Sequence, residues 1–390
     1  MRLTPLLLAL GLPLLTGCQS KEDRAIAAIE KRGGWVATDD SRPGDPVVTV
    51  YLCSSKVTDA DLAPLEGLPD LRLLDLHKAS ITDAGLAHLA GRTQLEWIDL
   101  DHTAITGAGF AQLPRLKGLQ RLSLVGTQFN DASLEHVAAL TALERLDLSR
   151  TKISSAGLAH LRGLERLQVL GLEKTKVDDA GLAHLSGLTD LRRLSLSHTG
   201  ITDAGLAHLK ALTRLQTLEL NADQVTDAGL AHLEGLACLE VLQLNGTKVT
   251  GPGLAHIGHL HHLETLELAG CAVNDLGVLH LKDLDHLQRL VMEHTRLTDA
   301  GLAQVSGLHE LRTLGLEATR VTDKGMAKLK LLTHLQELGL GQTQVTDAGL
   351  AELTALTGLR VLYLRKDNQI TDNGLRQLWE ALPGIKIVRR

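Results

Sequence analysis

Histidine, cysteine and clustered carboxylates are the side chains of this chain that could bind a metal or move a proton. Their spacing is regular. Of 18 histidines, eight (His88, His136, His160, His184, His208, His232, His256 and His280) recur at multiples of 24 residues. They admit two readings: a metal- or pH-sensing stripe, or one duplicated surface position with each ring in solvent. A second column, Cys238, His262, His286, Glu310 and His334, has the same spacing, with His261 and His309 beside it. On strands about 4.8 Å apart, these side chains could share a Zn²⁺ or Ni²⁺ ion. No pair among them, however, has the fixed short spacing of a structural zinc site. Four cysteines (Cys18, Cys53, Cys238, Cys271) are too few for a disulfide scaffold, and their positions do not face one another.

Catalysis finds no support. No phosphate loop, dinucleotide fingerprint, zinc-protease helix or nucleophile elbow occurs, so no cofactor is called for. The formal charge of −6 is spread over 22% charged residues of mixed sign, which argues against a nucleic-acid partner. Apolar residues make up 44% of the chain but aromatics only 2%. Such a core must be aliphatic, and that suggests one small unit repeated.

The unit is 24 residues long. Repeats begin at Val47, Leu71, Leu95 and so on to Leu359, fourteen in all, with one extra residue in the last between Leu364 and Ile370. Counting positions from 0, the repeat at Leu191 places Leu194 and Leu196 in strand alternation. Leu206, Leu209 and Leu212 then follow at helical spacing. Thr202-Asp203 precedes the short helix and offers capping oxygens. Position 14, Gly205 here, is glycine in twelve repeats, as expected where a side chain would clash. Each repeat reads as strand, turn, short helix, turn. One copy cannot bury its own apolar face, so the array folds only by stacking.

The pattern Leu-x-x-Leu-x-Leu-x-x-Thr-x-Ile/Val-Thr-Asp-x-Gly-Leu resembles the leucine-rich-repeat family, closest to its cysteine-containing subclass. The resemblance implies an α/β solenoid, a horseshoe of about 14 strand–helix rungs with a parallel sheet on the concave face. The subclass's ladder cysteine is mostly threonine here (Thr103, Thr127, Thr151, Thr175, Thr199, Thr247, Thr295, Thr319, Thr343), with Cys271 in one rung. Buried hydroxyls bonding the backbone of adjacent turns are expected. Residues 21–32 read as a capping helix with Ile26 and Ile29 on one face. Gly33-Gly34 ends it, and an extended piece at Trp35-Val36 follows. Trp379, Leu382, Ile385 and Ile387 read as a closing helix and strand.

Ahead of this lies a targeting segment. Arg2 precedes an apolar run from Pro5 to Leu15, too short to span a bilayer. Leu15-Thr16-Gly17-Cys18 resembles the lipobox of bacterial lipoproteins, which implies cleavage before Cys18 and acylation there. Gln19 is not the Asp that retains many such proteins at the inner membrane, so the outer membrane of the cell envelope is favoured. The expected divisions are a signal peptide at 1–17, anchor and N-terminal cap at 18–46, array at 47–382 and closing strand at 383–390.

The functional expectation is a non-enzymatic, lipid-anchored module that binds a protein partner on its concave face. An envelope spacer without a ligand and a metal- or glycan-binding surface protein are the alternatives. Positions 2, 4 and 6 face outward from the sheet. The binding candidates are Tyr51, Trp97, Asp99, Asp101, Arg121 and Arg145, with Trp97 expected as the one tryptophan on that surface. Exposed Trp and Arg most often dominate interface energy. A stack of Arg121 on Trp97 is the alternative.

Overall fold

The computed structural model describes residues 20–366 and 369–389. Cys18 and the targeting segment lie outside these residues. Among the described residues no helix is long and apolar enough to cross a membrane.

Fourteen rung strands, from Val47–Tyr51 to Val361–Leu364, pair in parallel and in sequence order. Registry is strict. Leu74, Ile98, Leu122, Leu146, Leu170 and Leu194 stand directly opposite one another down the sheet. Each rung returns through a short helix of α or 3-10 type. The seven anchors of the rung at Leu191 (Leu191, Leu194, Leu196, Ile201, Leu206, Leu209 and Leu212) are all fully buried. The core is therefore a continuous aliphatic column between sheet and helices. From the second rung to the thirteenth, the tight turn after the strand puts a residue at positive φ, among them Lys78, His102, Arg150 and His198.

Two flanking strands bring the sheet to sixteen. At the start, helix Lys21–Lys31 is capped by Ser20, whose hydroxyl accepts from the Asp23 N–H while Asp23 accepts from the Ser20 N–H, both at 2.9 Å. Its Ala25 and Ile29 are buried, and Ile26 packs half-buried against the same core. Gly34 has no room for a side chain, since a Cβ would meet the Tyr51 carbonyl and Leu52. Strand Trp35–Thr38 then runs antiparallel to Val47–Tyr51. At the other end, helix Asp372–Ala381 is followed by strand Lys386–Arg389, parallel to Val361–Leu364.

A carboxylate ladder joins the rungs. Asp59 accepts from both the N–H and the hydroxyl of Thr82, 2.7 Å each, one rung on. The same contact links Asp203 to Thr226, Asp227 to Thr250, Asp275 to Thr298, Asp299 to Thr322 and Asp323 to Thr346. It spans 23 residues, and 24 at Asp347–Thr371, where the extra residue enters. Ser155 and Asp178 exchange the roles: the acid sits on the later rung and the hydroxyl on the earlier. The ladder also explains position 14. A Cβ on Gly85 would lie 2.6 Å from the Asp59 Oδ1, and Gly205, Gly229 and Gly325 meet their own preceding aspartates likewise. Thr202 additionally caps its own helix, accepting from the Ala204 N–H, and Thr226, Thr298, Thr322 and Thr346 do the same.

The threonine column departs from expectation. Its hydroxyls are buried, but they close their own turn rather than bond the adjacent one. Thr103 donates to the Leu100 carbonyl at 2.6 Å, and Thr127 to Leu124 and Thr247 to Leu244 at 2.7 Å. The carbonyl three residues back is simply nearer than the next rung. Cys271, whose S–H is longer-reaching, does cross to the Leu244 carbonyl at 3.1 Å. Asp223 occupies the same column. Its Oδ1 accepts from the Thr199 N–H (2.8 Å) and hydroxyl (3.1 Å), while Oδ2 is buried without a partner. Only 1% of Asp223 is exposed, and burial pushes its carboxyl up to about 7.

Candidate functional site

The open face of the sheet is built from the outward residues of successive strands, so parallel register turns each position into a row. Position 2 carries Leu73, Trp97, Arg121 and Arg145 side by side. Position 4 carries Tyr51, Asp75, Asp99, Ser123 and Asp147. A cationic row thus lies against an acidic one. Arg121 and Arg145 are exposed, and among the described residues neither joins an ion pair. A shallow cleft of about 310 Å³ opens between Thr49, Arg72, Leu73, Glu96, Trp97 and Arg121.

Two of the expected contact residues are already engaged. Tyr51 stacks on Trp35, ring centroids 4.3 Å apart and planes 11° from parallel. Trp35 is 51% exposed, so Trp97 is not the one tryptophan on this face. The antiparallel return of strand Trp35–Thr38 is what carries the second ring there. Asp101 lies past the end of its strand and is tied to the next rung, accepting from the Ser123 hydroxyl (2.5 Å) and the Val125 N–H (2.8 Å). Asp99 accepts from the Asp101 N–H at 2.9 Å. Burial outweighs that bond at Asp99, and with the charges of Asp101 and Asp75 it pushes the carboxyl up to about 6. Burial also raises Asp101, against the bond from Ser123.

The histidine columns do not converge. Members of the helix column sit half-buried or exposed, and two of them pair singly with the preceding rung: His88 with Glu66 at 2.7 Å and His256 with Glu234 at 2.6 Å. Burial and the nearby Arg162 lower the His184 imidazole. In the other column, Cys238, His262, His286, Glu310 and His334 are all exposed at the helix-to-strand turns, and no three of them bring ligand atoms together. Long side chains in solvent splay apart there, and His334 turns its Nδ1 to the His309 carbonyl at 3.1 Å.

Sequence reasoning missed a different group. Among the described residues, Cys53, Asp75 and His77 alone place three possible ligand atoms within 4.8 Å of one another. Cys53 and His77 occupy position 6 of adjacent rungs and Asp75 position 4, so the signal was present in the register. His77 meets the Asp75 Oδ1 through its backbone N–H (3.0 Å) and its Nδ1 (3.1 Å). Burial, the contact with Asp75 and the charges of Asp75 and Asp99 push the Cys53 thiol up to about 12. Cys53, Cys238 and Cys271 are free thiols.

The family model for a leucine-rich repeat region matches residues 48–231 and 226–389. The chain belongs to the leucine-rich-repeat family. Solved structures bear out the same solenoid. An internalin from Listeria monocytogenes is 21% identical with a TM-score of 0.61, over 93% of this chain and 92% of that one. A leucine-rich-repeat protein from Leptospira interrogans is 20% identical with a TM-score of 0.60, over 83% of this chain and 91% of that one. Among curated proteins no sequence matches. Leucine-rich-repeat folds typically serve as interaction scaffolds, and nothing in this one shows catalysis.

Proposed function

We propose that this leucine-rich-repeat chain is a non-enzymatic interaction module. In this reading a lipid on Cys18 holds it at a bacterial envelope membrane, the outer one favoured, and a protein partner docks on the open sheet face around Trp97, Arg121 and Arg145. The observation that carries the reading is the in-register row Trp97–Arg121–Arg145. Two like charges stand side by side, and among the described residues neither joins an ion pair, a costly arrangement for the free protein that a complementary acidic surface relieves. Trp97 beside them supplies the aromatic anchor typical of interface hot spots.

Affinity for a partner recovered on the immobilised chain tests the face. Trp97→Ala and Arg121→Ala should each cost about 2 kcal/mol or more with unchanged melting, while Glu317→Ala, further along the sheet, leaves affinity alone. If all three bind like the parent, the face is not the contact surface. Detergent partitioning tests the anchor, because Cys18→Ser should move the protein to the aqueous phase.

A further inference from the structure

We propose that Cys53, Asp75 and His77 form a binding site for a divalent transition-metal ion of the zinc type, at the N-terminal end of the open sheet face. The three donors differ in kind: a sulfur, a carboxylate oxygen and an imidazole nitrogen. That mixture suits Zn²⁺, which takes thiolate at about 2.3 Å and nitrogen or oxygen at about 2.0–2.2 Å. Donors of a tetrahedral site with those bonds stand roughly 3.5 Å apart. Here all three lie within 4.8 Å of one another without an ion, so small side-chain rotations close the site.

The scaffold holds the donors in place. Cys53 follows its strand at position 6, and Asp75 and His77 occupy positions 4 and 6 of the next rung, whose registry is set by the Tyr51–Asp75 pairing. The His77 N–H to Asp75 bond fixes one carboxylate oxygen toward the ring. Asp99, next after Asp75 in the row, adds negative charge. Three protein donors leave a fourth position open to solvent, as in sites that accept water or an external ligand. Cys53 and His77 are half-exposed, so an ion can enter.

The test uses the full chain, stripped of metal and titrated with Co²⁺ and then Zn²⁺. Co²⁺ should raise the near-ultraviolet band of a thiolate–cobalt bond at one ion per chain, and Zn²⁺ should displace it. Cys53→Ser and His77→Gln should abolish the band and weaken Zn²⁺ binding by about 100-fold or more, beyond the usual cost of losing a supporting residue. Cys18→Ser and Cys238→Ser should change neither readout. Absence of the band in the parent, its survival in Cys53→Ser, or unchanged Zn²⁺ affinity in the half-exposed His77→Gln would overturn the proposal.

Discussion

Asp179 accepts two hydrogen bonds from Thr202 across the boundary between consecutive rungs, one from its backbone N–H at 2.8 Å and one from its hydroxyl at 2.5 Å. The same carboxylate stands where a side chain on Gly205 would project. One contact therefore constrains two later residues, the helix cap and the glycine behind it.

Removing the carboxylate leaves the Thr202 donors without their charged acceptor. Asp179→Ala should cost about 1.5–3 kcal/mol for each bond to a charged group lost, read from denaturant melts. Gly205→Ala should also destabilise, because its new Cβ meets the Asp179 Oδ1. In the Asp179→Ala background that second cost should shrink. Strict additivity of the two substitutions would show that the glycine is selected for something other than this contact.

Asp223 supplies a pH dependence. Its folded carboxyl is raised from 3.8 to about 7 by burial, so the folded state holds the proton more tightly than the unfolded one. Its contribution is full below the unfolded value and is lost progressively as pH rises toward about 7, then stays flat. Asp223→Thr restores the residue of the rest of the column and removes an unpartnered buried oxygen. Above the window it should gain about 1–3 kcal/mol, and the difference from the parent should vanish at acid pH. Parallel stability curves for the two proteins across that range would refute the assignment.

The stacking rule predicts which deletions are tolerated. Excising residues 191–214 removes one whole rung and rejoins Asp179 to a Thr of equivalent position, Thr226, so cooperative folding should persist. Excising twelve residues rotates strand onto helix and exposes the aliphatic anchors. Circular dichroism melts of the two should differ sharply. Equal tolerance would contradict the ladder.

Much of this architecture is readable from residue spacing. Leu194, Leu196, Leu206, Leu209 and Leu212 announce strand and helix, and Gly205 announces a close approach, because periodicity reports which side of the chain is buried. It does not report which neighbour a polar atom reaches. Thr103 therefore turned out to close its own turn, and the carboxylate of Asp203 proved to serve the next rung's Thr226, leaving the Thr202 hydroxyl to cap the helix. Trp35 was hidden for another reason: its antiparallel return depends on the loop through Pro43 and Pro46, which lies outside the 24-residue rule. Cys53, Asp75 and His77 escaped because they mix two positions of adjacent rungs, whereas a column search follows one.

At two rung boundaries neither side supplies an aspartate to extend the ladder. Gly107 precedes Asn130, and there the Phe129 ring fills the space a Gly107 side chain would need and meets Phe110 edge-on at 5.6 Å. Ser133 also reaches back to the Thr106 carbonyl at 3.0 Å. Gly251 precedes Asn274 with no such ring. Asn274 turns inward to cap its own helix at Gly277, whose backbone packs directly on Gly251. Pulled from its two ends, the protein would then behave as a zip with one missing tooth, yielding first beside Gly251 and lengthening in two steps, with a detached C-terminal arm still coiled while the remainder holds.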